Sequence, residues 1–254
     1  MRAEVTVEMT IAAPRELVFL YFTDPTRIRA WLGEGSTLDA RIGGPVMVRY
    51  PQGEVAVGKV ERVEAPNLIE FSWGYQDDSH GLAPGASRVT IELKADGEGT
   101  RVRLRHSGLD AAQQEGQGAG WRYQLSRLTG LVLDETLGAN APRIVDTYFR
   151  AWNEPDAARR AELLEQCCAA DASFRDAMSI VQGRTELSDL IGVAHAISQG
   201  ARLEPEGALQ HCKGAVTFGW KIVGPSDWLM ARGVNFGELT AAGKLRNIVG
   251  FWHP

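Results

Sequence analysis

Leu104-Arg105-His106-Ser107-Gly108-Leu109 followed by Gly120-Trp121, and Asn235-Phe236-Gly237-Glu238-Leu239 followed through Gly243 by Gly250-Phe251-Trp252, are the runs from which the architecture can be built. In the first, Gly120-Trp121 opens a long amphipathic helix. Its apolar stripe, Trp121, Leu125, Leu128, Leu131 and Val132, is long enough to cross a whole sheet. The second run belongs to the last strands of another sheet. Each closes a curved sheet against helices, which predicts an α+β chain of two cup-shaped domains, 1–138 and 141–254. Its 254 residues are about what two ordinary cores require.

Upstream of the first run, Val5, Val7, Met9 and Ile11 alternate with Glu4, Thr6, Glu8 and Thr10, the period of a half-buried strand. Ala13-Pro14-Arg15-Glu16 starts a helix. Asp24-Pro25 starts another, with Asp as N-cap and Pro at the first helical position, and it ends at Trp31-Leu32-Gly33. Strand-like runs at Val46 to Tyr50, Val55 to Val63, Leu68 to Tyr75, Val89 to Leu93 and Arg101 to Arg105 have short connections and predict an antiparallel meander. Beyond Gly138, which stops the long helix, Asn140-Ala141-Pro142 starts the next. Ile144, Tyr148 and Trp152 recur every fourth residue, and Ala157 to Cys168 forms a second helix. A short strand at Ala172 to Asp176 and a helix at Glu186 to Ser198 precede long strands at Ala215 to Val223, Trp228 to Glu238 and Leu245 to Trp252. Two helices, a stub, a helix and then a sheet is the order of a cone-shaped fold.

The formal net charge of -5, with 23% charged residues, provides no basic stripe for a phosphate backbone, and Arg101, Arg103 and Arg105 alternate on the solvated face of one strand. Nucleic acid is therefore not an expected partner. No apolar run reaches the roughly 20 residues of a membrane span, and Met1-Arg2-Ala3-Glu4 leads into a strand rather than a signal peptide. A cytoplasmic protein without a membrane partner is expected. Cys167, Cys168 and Cys212 have neither disulfide-framework nor zinc-ligand spacing and read as reduced, mostly buried thiols. No metal or organic cofactor is implied.

Pro14, Val18-Phe19, Trp31-Leu32-Gly33, Gly43-Gly44, Gly58-Lys59-Val60, Leu68, Trp73, Gly99-Thr100, His106-Ser107-Gly108 and Gly120-Trp121 fall in the order and spacing of Aha-type proteins. Residues 3 to 137 thus resemble these relatives of an activator of a heat-shock ATPase, within the START-like SRPBCC superfamily. The resemblance implies a helix-grip fold with a deep apolar cavity between sheet and helix, used in bacterial members mostly to bind or process small hydrophobic ligands. A co-chaperone role is an alternative it raises without entailing. His106 shares a strand face with Thr100, Val102 and Leu104, so its imidazole is expected to point into the cavity. There it is either a ligand-binding group or base, or a rim histidine satisfied by a backbone carbonyl or water. Trp73 and Trp121 are candidate ligand contacts and, with Trp31, equally natural core residues.

Tyr148-Phe149-Arg150-Ala151-Trp152-Asn153, Phe174-Arg175-Asp176, Gly183-Arg184-Thr185-Glu186-Leu187, Asn235-Phe236-Gly237-Glu238-Leu239 and Gly243-Lys244-Leu245 make residues 141 to 254 resemble the SnoaL-like branch of the nuclear-transport-factor-two-like superfamily. The same half is similar to ketosteroid isomerases in three polar places. Those enzymes put a tyrosine on the first helix, an aspartate on the short strand and an aspartate eight residues before the last hairpin's glycine into one pocket, and Tyr148, Asp176 and Asn235 stand there in this chain.

Parity supports such a meeting. Asp176 faces inward if Phe174 does, Asn235 shares its face with Ala231, Gly233 and Gly237, which leave room for a ligand, and Tyr148 lies on the stripe of Ile144 and Trp152. Asp176 would take a proton from a carbon acid while Tyr148 and Asn235 bond the enolate oxygen. In ketosteroid isomerases a protonated aspartic acid is the second donor; an amide in its place still donates but cannot act as a base. Each residue also has a structural reading: Asp176 capping a turn, Tyr148 in the core, Asn235 bonded to backbone. His211 is an alternative base or an exposed edge residue. Trp152 and Trp252 are the aromatic ligand contacts expected in this half. The expectation is binding, with turnover as an isomerase or cyclase the alternative, of a polyketide, steroid-like or aromatic ketone. By analogy with cone domains, which commonly pair through their sheets, a homodimer is expected.

Overall fold

The alternation at the N-terminus forms β1 (Ala3–Ile11), and the two expected helices follow as α1 (Arg15–Thr23) and α2 (Pro25–Leu32). Asp24 caps α2, its carboxylate accepting from the backbone N–H of Thr26 and Arg27. Then come β2 (Thr37–Leu38), β3 (Pro45–Arg49), β4 (Val55–Glu64), β5 (Leu68–Tyr75), β6 (Ser87–Asp96) and β7 (Gly99–Leu109). All pair antiparallel in the order β1-β7-β6-β5-β4-β3-β2, so the meander closes when β1 docks on β7. The arginine stripe on β7 is neutralised locally: Arg101, Arg103 and Arg105 pair with Asp96, Glu8 and Glu92 at 3.1, 3.1 and 3.3 Å. The computed structural model describes residues 3–77 and 79–253, so Met1 and Arg2 of the expected approach to β1 lie outside it.

The long helix, α3 (Ala111–Leu133), starts well before Gly120-Trp121. Asp110 and Gln113 form a reciprocal capping box: the Asp110 carboxylate accepts from the Gln113 N–H, and the Gln113 side-chain oxygen accepts from the Asp110 N–H, both at 2.9 Å. Trp121, Leu125, Leu128 and Val132 are buried against the sheet as the stripe requires. At ~35 Å, 23 residues of helix span the sheet.

The chain divides into two compact units, Met1–Leu133 and Asp134–Pro254. The division falls before Gly138 because Asp134–Gly138 forms one wide helical turn belonging to the second unit, where Asp134 pairs with Lys213. Next are α4 (Ala141–Trp152), α5 (Ala157–Cys167), β8 (Cys168–Arg175), β9 (Ile180–Gln182), α6 (Gly183–Ile197), β10 (Arg202–Cys212), β11 (Ala215–Val223), β12 (Leu229–Leu239) and β13 (Leu245–Trp252). The sheet order is β10-β11-β12-β13-β8-β9, with β13 and β8 parallel and the other pairs antiparallel. Neither β9 nor β10 is expected from the sequence. β10 carries Pro205 and Gly207 and a register irregularity between Glu206 and Gln210; proline and a bulge fit only because the strand lies on the sheet edge. Cys167 and Cys168 are buried and Cys212 is exposed, all three as free thiols.

Candidate functional site

In the second unit, α4, α6, β8 and the strands β11 to β13 line a half-open cavity of about 300 Å³. Tyr148, Asp176 and Asn235 all line it, with Trp152, Phe174, Trp220 and Trp252 among its apolar walls. The helical stripe brings Tyr148 in: its ring is fully buried, edge-on to Phe218 at 5.6 Å and to Trp152 at 6.1 Å. Its hydroxyl makes no hydrogen bond of ordinary geometry, although the Trp152 side chain lies close enough to act on it, and burial raises its pKa well above the ordinary phenol value, so it is a neutral donor. The Trp152 indole N–H is likewise buried and makes no hydrogen bond of ordinary geometry.

Strand parity delivers Asp176 beside Phe174, but the carboxylate is also a turn cap. Oδ1 accepts from the backbone N–H of Met178 and Ser179 at 2.9 and 2.8 Å, and Oδ2 accepts from Trp252 Nε1 at 3.2 Å. These bonds realise the capping reading of Asp176, on a carboxylate that also lines the cavity. Asn235 bonds a side chain and not the backbone: its Oδ1 accepts from Trp220 Nε1 at 3.0 Å. An indole N–H can only donate, so the amide oxygen faces Trp220 and the NH2 group is left to donate elsewhere. Trp220 and Trp252 sit edge to face at 5.3 Å, each donating to one of the two polar residues. Gly250 lets these groups converge, since a Cβ there would lie 3.0 Å from Asn235 Oδ1 and 3.1 Å from the Asp176 Cβ.

The space expected over Gly233 and Gly237 is occupied by protein, while Asn235 itself still lines the cavity. A side chain at Gly233 would strike the Trp220 ring, and one at Gly237 would approach Leu245 to 2.8 Å, so these glycines admit neighbouring side chains rather than a ligand. Trp220 is a site residue that sequence reasoning missed. Its signal was the parity it shares with Val216 and Phe218, together with the need of a buried indole N–H for an acceptor. His211 stands outside the cavity, where its Nε2 accepts from the Gly214 N–H at 3.1 Å to hold a hairpin.

In the first unit, His106 and Trp73 are buried in the core and are not among the walls of the cavity found there. Trp121 Nε1 donates to His106 Nδ1 at 3.0 Å, which makes Nε2 the protonated nitrogen, donating to Ser87 Oγ at 2.8 Å, and Ser87 donates to the Trp73 carbonyl at 2.9 Å. The imidazole is thus satisfied by side chains rather than by backbone or water. Burial lowers its pKa from 6.5 to about 4, so it is neutral. Trp121 does reach a cavity, of about 430 Å³, but its other walls include Tyr50, Glu54, Tyr75, Gln117 and Gln124. The deep apolar pocket implied by resemblance is in fact mixed in polarity. Among the described residues no cluster of His, Cys, Asp and Glu is arranged to hold a metal ion, and no helix is long and apolar enough to cross a membrane.

The architecture defines the class: an α+β chain in which a seven-stranded antiparallel sheet packs on a long helix, followed by a second α+β unit built on a six-stranded mixed sheet. Residues 12–132, just under half of the chain, match the model of the family described as activator of Hsp90 ATPase homolog 1-like protein. No curated protein matches the chain. Among solved structures it is similar to a SnoaL-like family protein from Agrobacterium tumefaciens (28% identity, covering 44% of this chain and 96% of that one, TM-score 0.43). It is also similar to protein MLL2253 from Mesorhizobium loti (25%, 53% and 98%, 0.48) and to the Aha1 dimer from Colwellia psychrerythraea (15%, 51% and 96%, 0.45).

Proposed function

We propose that the chain is a tandem of domains, 1–138 and 141–254, whose second domain binds a small apolar ketone. The observation that carries this reading is the Tyr148 hydroxyl, buried and without a hydrogen bond of ordinary geometry on the wall of a largely apolar cavity. An unmet buried donor costs about 1–3 kcal/mol, which a ligand carbonyl would recover. The Asn235 amide supplies a second donor to the same space, and Trp152 and Trp252 supply ring contacts. A volume of about 300 Å³ suits two fused rings better than a large polyketide.

The test compares 2-acetylnaphthalene with 2-ethylnaphthalene, which has the same shape but lacks the carbonyl. The ketone should bind about tenfold tighter, and Tyr148→Phe should erase most of that difference. Equal affinities for the wild-type protein would refute the reading.

Turnover is a second reading, favoured by the position of Asp176 on the same cavity wall with its carboxylate held by three donors. With a β,γ-unsaturated ketone, Asp176 would remove the proton between carbonyl and alkene, and Tyr148 and Asn235 would bond the dienolate oxygen. The protonated Asp176 would then return the proton to the γ carbon, giving the conjugated isomer. Asp176→Asn should abolish isomerisation while leaving ketone affinity within about twofold; an unchanged rate removes this reading.

A further inference from the structure

The cavity in Met1–Leu133 is graded in chemistry from mouth to floor. α3 forms one wall, and Gln113 and Gln124 mark its ends, about 16 Å apart along the helix axis. At the mouth, Gln113 Nε2 donates to the carbonyls of His80 and Gly81 at 3.1 and 2.8 Å, and His80 Nε2 lies 3.1 Å from Glu54 Oε1, with both side chains partly exposed. Midway, Gln117 Nε2 donates to the Tyr75 hydroxyl at 3.1 Å, and Trp121 offers only its ring, its N–H being held by His106. At the floor, Gln124 is 8% exposed, and its Oε1 is completely buried without a partner.

A second observation is independent of that orphan acceptor. Gly116 and Gly120 lie in the interior of α3 along the cavity, both exposed to solvent, and a Cβ at either would meet nothing within 4 Å. A glycine inside a helix costs about 1 kcal/mol relative to alanine. Neither glycine is required by close packing, and together they leave the cavity open beside Trp121.

We infer that this cavity binds an elongated organic cation, its ammonium group beside Glu54, its ring along Tyr75 and Trp121, and a hydroxyl or N–H at the far end donating to Gln124 Oε1. The mouth provides the carboxylate, the middle provides aromatic surface suited to a cation and its ring, and the floor provides an acceptor that only a donor-bearing ligand satisfies. This site is separate from the ketone cavity and does not rest on that reading.

Tyramine, phenethylamine and 4-ethylphenol form the matched probe set, titrated calorimetrically into the full chain. Tyramine should bind about tenfold tighter than either single-headed analogue. Glu54→Gln should remove its advantage over 4-ethylphenol, and Gln124→Leu its advantage over phenethylamine. Gly120→Leu should melt no lower than wild type yet bind none of the three, while 2-acetylnaphthalene binding stays as in wild type. The inference is overturned if tyramine binds no tighter than 4-ethylphenol, if none of the three binds, or if binding survives in a folded Gly120→Leu variant.

Discussion

Two buried side chains of opposite status separate function from structure at the level of single residues. Tyr148 carries a hydroxyl that makes no hydrogen bond of ordinary geometry, so Tyr148→Phe removes a desolvated group and no more than a weak contact with Trp152. Stability should be unchanged or higher by up to about 1 kcal/mol, read from urea denaturation midpoints; a loss of that size would mean that the hydroxyl has a structural partner. His106 is the reverse case, fully bonded and buried. Its pKa falls from 6.5 to about 4 on folding, so between those values the unfolded chain takes up a proton that the native one refuses. The His106 contribution to stability is whole above pH 6.5, shrinks as pH falls and is exhausted below 4, a span on the order of 3 kcal/mol. His106→Gln should be destabilised at pH 7 and lose that part of the acid sensitivity. Parallel pH dependences for the two proteins would contradict the assignment. Asp176 and Asn235 both line the second unit's cavity, the face to which strand parity assigns them. Their hydrogen-bond partners were not legible, because Trp220 and Trp252 reach them across strands whose register the sequence does not state.

Among the elements, α3 shows how local and tertiary demands diverge. Gly116, Gly118 and Gly120 depress helix propensity so strongly that Gly120-Trp121 reads as the start of a helix, although the Asp110-Gln113 capping box marks the true start ten residues earlier. Tertiary packing overrides propensity here. Gly118 sits against β1, where a Cβ would come within 3.2 Å of Val5, whereas Gly116 and Gly120 face open space. Gly116→Ala and Gly120→Ala should therefore each stabilise the protein by about 0.5–1 kcal/mol, seen as higher thermal midpoints, and Gly118→Ala should not. Stabilisation at all three positions would show that the hollow is not what distinguishes them. β1 and the meander were legible because half-buried antiparallel strands alternate cleanly. β10 was not, because an edge strand with a bulge and mostly solvent-facing side chains has no such period.

At the scale of the whole molecule, a helix stop and a helix start standing back to back near residue 139 are what predict two cores from the sequence, and the chain divides into two compact units between Leu133 and Asp134. The sequence conveyed little about the interiors. Whether apolar side chains fill a cup or line it depends on volumes that periodicity does not encode, and the cavity expected to be apolar proved mixed in polarity. If the units are separate domains, calorimetry should resolve two unfolding transitions, of which 2-acetylnaphthalene raises one; a single two-state transition would contradict that division. The central claim is that unspent donors on the second cavity's wall receive a carbonyl oxygen. The infrared stretch of bound 2-acetylnaphthalene reports on that contact directly. The band should move to lower wavenumber than in hexane and shift back toward the hexane position in Tyr148→Phe, whereas a bound band at the same position in both proteins would show that the carbonyl does not meet Tyr148.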